Sequence, residues 1–242
     1  MKNQYEELKQ IIKDSHSIVV FTGAGISVPS GIPDFRSADG IYNQKTKFSA
    51  SPEEIISHSF FMSHTEDFYS FYKDKMCYPK AEPNTAHKYF ADLEKKGKNV
   101  QVVTQNIDGL HQKAGSQFVY ELHGTIHQNF CMKCGRLFGL DYIMNSKGVP
   151  HCDKCGGIVK PDVVLYEEGL DENTIQRAIS AIMTCDTLII IGTSLRVYPA
   201  AGFIRYFRGR NLVVINKDAT SYDSNCDLVF NEDVINVINN IK

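Results

Sequence analysis

The chain predicts an α/β fold, a Rossmann-like parallel sheet interrupted by two insertions, and three observations predict it. Short aliphatic runs at Ile18–Thr22, Val100–Thr104, Leu188–Ile191, Leu212–Asn216 and Leu228–Phe230 alternate with stretches of helical periodicity, which is the pattern of βαβ units. Residues 38–79, aromatic-rich, break that alternation and read as a helical insertion. Residues 126–161 break it again, with two Cys-x-x-Cys pairs among Gly and Lys, and read as a smaller module built around a metal. The remaining segments, about 1–37, 80–125 and 162–242, form the core of a single 242-residue domain.

The opening stretch MKNQYEELKQIIKD contains acidic residues and lacks an apolar h-region. It is therefore expected to be a surface helix lined by Tyr5, Leu8, Ile11 and Ile12, not a secretory signal. The first strand runs into Gly23-Ala24-Gly25, whose amides and following helix N-terminus suit a pyrophosphate, or simply a tight turn. A dinucleotide fingerprint would place a third glycine where Val28 stands, and no acidic residue is set to hold a ribose. A P-loop is excluded because Ile32-Pro33 follows Gly31. Pro29, Gly31 and Pro33 stiffen an exposed loop that presents Asp34, Phe35 and Arg36 together, a lid suited to a cationic ring and phosphates.

Within 38–79, FFMSHTEDFYSFY is expected to form a pair of helices with its aromatics in a core. Ala86, Phe90 and Leu93 mark a helix between Pro83-Asn84 and Gly97. The strand ending at Thr104 delivers Gln105, Asn106 and Asp108 at its carboxyl end, where open α/β sheets bind ligands, although any one of them also suits a helix cap. His123 lies against Gly124 in ELHGTIH. A lone His is more often structural, but beside this polar cluster its near-neutral pKa suits a general base.

CMKC (Cys131, Cys134) and CDKC (Cys152, Cys155) form two knuckles, with residues 135–151 between them. Together they offer a closed shell of four thiolates to one structural zinc, leaving no position for a reacting water. Gly135, Gly156 and Gly157 follow the second cysteine of each knuckle, where a zinc ribbon turns. Cys77, Cys185 and Cys226 have no partner spacing and read as core residues. Free thiols and a metal site, with no secretory signal, place the protein in a reducing cytoplasm. Further on, Ile175, Ala178, Ile179 and Ile182 mark a helix. Gly192-Thr193-Ser194 and Asn216 end aliphatic strands, where they suit phosphate and ribose hydroxyls or ordinary caps. Pro199 and Gly209 bracket a short helix, and Val234, Val237, Ile238 and Ile241 mark the last one.

Composition excludes some partners. Net charge is −2, and the 26 Lys and Arg are scattered, so no nucleic-acid partner is expected. No apolar run approaches the length of a membrane span, and no membrane association is expected.

The order GAGIS with PDFR, TQNIDGLH, ELHGT, the paired knuckles, GTSL and VVIN, from about Ile18 to the C-terminus, resembles that of the sirtuins, NAD-dependent protein lysine deacylases. The bacterial deacetylase-type branch is the most similar. The resemblance implies a domain of sirtuin type in which NAD lies extended, so the third glycine and ribose acid are not required. It places Ala24, Val28, Phe35 and Arg36 around NAD, with Gln105, Ile107 and Asp108 in the nicotinamide pocket. Asn106 would orient the ribose or a water, and Thr193, Ser194, Asn216 and Val234 would hold the adenosine half. The implied reaction is attack of the acyl oxygen on the ribose as nicotinamide leaves, followed by proton removal from a ribose hydroxyl by His123. Free lysine and O-acyl-ADP-ribose result. KPDVVLYEE resembles the family's substrate strand, which implies that acetylated-lysine proteins or peptides pair with it and that Val163 and Val164 flank the lysine. Glu167 stands where the family usually has Gly. Tyr72 stands where succinyl-removing members carry Arg, three residues after Tyr69, which implies acetyl or apolar acyl groups over succinyl. Competing readings are an NAD sensor without catalysis, a zinc-ribbon nucleic-acid binder and a dehydrogenase. The broken fingerprint opposes the last.

Overall fold

The aliphatic runs fold as strands because alternate residues find apolar layers on both sides. The computed structural model describes residues 3–44, 48–220 and 222–242. Residues 1–2 of the N-terminal stretch, 45–47 of the expected helical insertion and 221 lie outside it. One parallel sheet has the order β3-β2-β1-β7-β8-β9. Its strands are β1 (Ser17–Thr22), β2 (Asn99–Thr104), β3 (Val119–Glu121), β7 (Thr187–Ile191), β8 (Asn211–Ile215) and β9 (Leu228–Phe230). On one face Ile18, Val20, Ile189, Ile191, Val213 and Ile215 meet α1 (Gln4–Asp14), α5 (Thr85–Lys95) and α9 (Val234–Ile241). On the other, Val19, Phe21, Leu188, Ile190 and Val214 meet α8 (Glu172–Thr184) and the 3-10 helix Ala200–Tyr206. Asn84 caps α5 through Ala86 N and His87 N, and Gly97 ends it at φ 89°.

A smaller antiparallel sheet has the order β5-β4-β6, from β4 (Gly124–Cys131), β5 (Leu137–Gly139) and β6 (Val159–Val163), with α7 (Leu140–Asn145) beside it. Pro161 is accommodated because β6 is an edge strand. Its core is shared with the helical insertion: Phe61, Phe68, Tyr69 and Tyr72 pack with Ile126, Val159, Val163, Cys131 and Cys152. The aromatics are thus core residues, as expected.

Several expectations are corrected. FFMSHTEDFYSFY folds as the expected pair, α3 (His58–Ser63) and α4 (Thr65–Lys75), and a short helix not expected, α2 (Pro52–Ile55), precedes them. Ser51 and Ser57 each cap a new start, which splits the segment. The sheet gains a sixth strand, β3, whose three half-buried residues are too few to show an apolar run. β8 ends at Ile215, before Asn216. The short helix expected between Pro199 and Gly209 is present, as the 3-10 helix Ala200–Tyr206. No α-helix follows the glycine turn, only 3-10 turns at Ala24–Ile26 and Val28–Ser30. Cys226 is half-buried instead of core.

Candidate active site

The chain leaves β1 in one direction to β2 and β3 and in the other to β7, β8 and β9. The carboxyl ends of β1 and β7 therefore flank the point where such sheets bind ligands. There the two glycine turns interlock. Gly25 N donates to Gly192 O at 2.8 Å, and a Cβ on Gly25 would stand 2.6 Å from Gly192 Cα. The turn after β1 and the turn after β7 thus require glycine for mutual approach.

Around these turns converge the polar groups from the strand ends. Gln105 Nε2 donates to Thr193 Oγ1 at 3.0 Å, and Thr193 Oγ1 also accepts from Leu195 N. Asn106 is held at both ends: its backbone N donates to Thr104 Oγ1 at 3.0 Å and its Nδ2 to Ser27 Oγ at 3.1 Å. Ser27 Oγ in turn donates to Asp108 Oδ2 at 2.6 Å, while Leu110 N donates to Oδ1. Burial holds the Asp108 carboxyl above its ordinary range, against the pull of those donors. Ser27 therefore joins Asn106 to Asp108, a role not visible in the sequence. In GAGIS a serine after a glycine turn looks like any other cap.

His123 is half-buried, and its Nδ1 lies 2.9 Å from Gln105 O. A carbonyl only accepts, so Nδ1 carries the proton and Nε2 keeps its lone pair. Burial pushes the ring's pKa below the usual histidine value, with the Gln105 carbonyl opposing. Nε2 is thus a free base at neutral pH. His123 O accepts from Val164 N at 3.0 Å, which ties the base to the segment after β6.

Other expected site residues fall as follows. Ala24 and Val28 are half-buried in the 3-10 turns. Phe35 is half-buried against Tyr42, centroids 5.4 Å apart, and exposed Arg36 places its guanidinium 5.2 Å over the Tyr42 ring. The loop is therefore less open than expected, because Tyr42 covers Phe35. Ile107 packs partly on the smaller core, and its O accepts from Ile126 N. Ser194 is exposed, and Asn216 is tied to Asp218 O by its own side chain. Val163 is buried in β6, with half-buried Val164 just past it. Val234, 6% exposed, packs into the sheet core.

Glu167 adopts φ 76°, the left-handed region that favours glycine. Its carboxylate accepts from Ser59 N at 2.8 Å and Ser59 Oγ at 2.5 Å. The segment therefore keeps the backbone a glycine would allow, and the side chain anchors it to α3.

The four Sγ atoms of Cys131, Cys134, Cys152 and Cys155 lie within 4.8 Å of one another, with Cys131–Cys155 at 3.4 Å and Cys134–Cys152 at 3.8 Å. Tetrahedral zinc with bonds of ~2.3 Å asks for sulfurs ~3.8 Å apart, so the set fits, and four protein ligands close the shell. Gly135 and Gly156 both take φ 70°, and each amide returns to the carbonyl of the knuckle's first cysteine at 2.9 Å.

Residues 23–199 match the model of the Sir2 family. An NAD-dependent protein deacetylase of Clostridium acetobutylicum is 56% identical over 240 residues, covering 99% of this chain and 98% of the relative. A solved structure of Sir2 with a p53 peptide and NAD+ is 38% identical, with a TM-score of 0.86, covering 100% of this chain and 97% of that one. A structure of Sir2 bound to acetylated peptide is 36% identical, with a TM-score of 0.87 and the same coverage.

Proposed function

The chain belongs to the Sir2 family, and we propose that it removes acetyl groups from protein lysine side chains with NAD as co-substrate. Nicotinamide, free lysine and O-acyl-ADP-ribose are the products. The observation that carries this reading is His123: a neutral imidazole with Nδ1 committed to Gln105 O and Nε2 free, joined by backbone to the segment ending in Val163 and Val164. It sits beside the Asn106–Ser27–Asp108 chain at the strand ends.

NAD supplies the electrophilic ribose carbon and the hydroxyl that finally carries the acyl group. The residues assigned to it are Ala24, Val28, Phe35, Arg36, Gln105, Ile107, Asp108, His123, Thr193, Ser194 and Asn216, with Val234 reached only through the sheet core. The fixed Asn106 amide positions ribose or water, and Nε2 of His123 takes the hydroxyl proton. The Asp34–Arg36 loop limits stray water. Zinc, held by Cys131, Cys134, Cys152 and Cys155, supplies rigidity to the ribbon and no chemistry.

The division into core segments 1–37, 80–125 and 162–242, insertion 38–79 and zinc module 126–161 is supported by the apolar core that the two inserted parts share. Acetyl and apolar acyl groups are favoured over succinyl, because Tyr69 donates its hydroxyl to Val159 O and Tyr72 is fully buried. Neither is turned to a carboxylate. All seven cysteines are unpaired, which supports a cytoplasmic location; among the described residues no helix is long and apolar enough to cross a membrane.

The test is mass spectrometry of an acetyl-lysine peptide incubated with NAD and the protein, beside His123→Ala. Loss of one acetyl mass with nicotinamide and O-acetyl-ADP-ribose, for the parent alone, is the expected result. NAD binding without turnover would instead make the protein a sensor.

A further inference from the structure

The loop carrying Phe35 and Arg36 and the segment following β6 meet at a pair of tyrosines. Tyr42 and Tyr166 hydroxyl oxygens are 2.9 Å apart. The backbone of each tyrosine is hydrogen-bonded on its own side. On the loop, Ile41 N donates to Asp34 O at 2.7 Å and Tyr42 N to Phe35 O at 2.9 Å, closing residues 34–42 into a ring of backbone. Asp34 Oδ1 accepts from Arg36 N and Ser37 N, and Gly40 packs so closely there that a Cβ would meet Arg36 N at 2.7 Å. A shift of Tyr42 thus carries Phe35 and Arg36 with it.

On the other side, Tyr166 N donates to Ile56 O at 3.0 Å and Tyr166 O accepts from His58 N at 2.9 Å. Glu168 closes the segment by accepting from Leu165 N at 2.9 Å, Lys160 Nζ at 3.1 Å and His58 Nδ1 at 2.9 Å. Two residues before Tyr166, Val164 N is bonded to His123 O. The hydroxyl pair therefore spans from the loop to the segment that reaches His123. Tyr166 is 37% exposed, so the pair can break and reform without opening a core.

We propose that the Tyr42–Tyr166 hydroxyl pair is a positioning latch that couples the two binding events, so that a peptide seated along Val163–Tyr166 holds the Phe35–Arg36 loop over NAD, and NAD reciprocally holds the peptide segment. It rests on the reading above that the loop covers NAD and that Val163 and Val164 flank the acyl-lysine. Coupling between sites is reciprocal and requires contacts that differ between states; the latch is that contact, made while both segments are in place and lost when either moves away.

The experiment is calorimetry of a non-cleavable NAD analogue with and without saturating acetyl-lysine peptide, for the parent, Tyr42→Phe, Tyr166→Phe and the double variant. Phenylalanine keeps each ring and its packing and removes only the hydroxyl. The coupling factor is the ratio of the two dissociation constants. In the parent the peptide is expected to tighten the analogue. Each single variant is expected to lower that factor about 2- to 10-fold, the range of one net hydrogen bond, and the double variant to lower it no further. A merely structural role would change both dissociation constants alike and leave the ratio standing. Unchanged ratios, or losses that add in the double variant, overturn the latch while parental deacetylation stands. A parent that neither binds the analogue nor deacetylates overturns the reading beneath it, and the latch with it.

Discussion

The six-stranded sheet and the thiolate lobe solve the same problem with different means. The sheet buries aliphatic residues on both faces, and its strands β1 and β7 are almost wholly buried. The lobe has one eight-residue strand, two short ones and a pairing irregularity between Gly124 and Asn129. Its core is completed by aromatics borrowed from another insertion and by the thiols of Cys131 and Cys152. A region too small to bury its own core needs a metal and a neighbour. His123 lies where the two meet, its Nδ1 on Gln105 O just past β2 and its own carbonyl accepting from Val164 N just past β6.

That contrast can be broken most forcefully at the metal. Cys152→Ser is expected to abolish zinc retention and lower kcat/KM by more than ~100-fold, beyond what loss of a metal's outer partner costs, while far-ultraviolet circular dichroism of the sheet persists. Full activity without zinc would refute the dependence. In the sheet, Ile190→Ala should cost about 2–5 kcal/mol in urea unfolding yet leave zinc content unchanged; if zinc is lost in step, the regions are not separable.

At the junction, Ser27→Ala removes the link between Asn106 and Asp108. It should lower kcat/KM by ~10- to 100-fold, equal to the ~1–3 kcal/mol of a buried polar group left unpaired, with little loss of melting temperature. Parental kinetics would show that Asn106 needs no such hold.

Acid should strike the sheet region. Burial lowers the pKa of His87 to about 4 and puts His111 well below its ordinary value, and the two rings lie 4.8 Å apart. Unfolded, both take up protons near 6.5, so the unfolded state binds more protons between there and about 4. Stability is therefore retained above that window and falls as pH drops through it, by about 1–2 kcal/mol for His87 from pH 7 to 5, with His111 acting in the same direction. Urea midpoints across pH should show this slope, and His87→Leu should flatten it by one ring's share. Activity has its own acid limb, since His123 must be neutral; the limb should lie below the ordinary histidine value. The smallest effect is expected at Glu167→Gly, which relieves a left-handed side chain while losing the Ser59 anchor. Peptide KM should move less than ~2-fold, and a larger rise would show that the hold on Ser59 outweighs the relief of the backbone.

Much of this was legible along the chain. Aliphatic runs of strand length marked five of the six strands, since a parallel strand buried on both faces must be apolar throughout. The knuckles announced their metal through spacing alone. Gln105, Asn106 and Asp108 could be suspected singly, each with a cap as the equal alternative, and His123 against the commoner reading of a structural histidine. The strand β3 was not legible, because its three half-buried residues show no apolar run. Nor was Ser27, whose role exists only because residues 79 and 81 positions away fold against it.

The sequence by itself therefore determined the periodic elements, the metal ligands and the family, because those depend on local spacing and residue type. Tertiary structure alone decided which proton His123 holds, that Gly25 and Gly192 need each other, and that Tyr42 meets Tyr166. These are contacts between segments far apart in the chain, where direction and distance, not residue identity, set the energy.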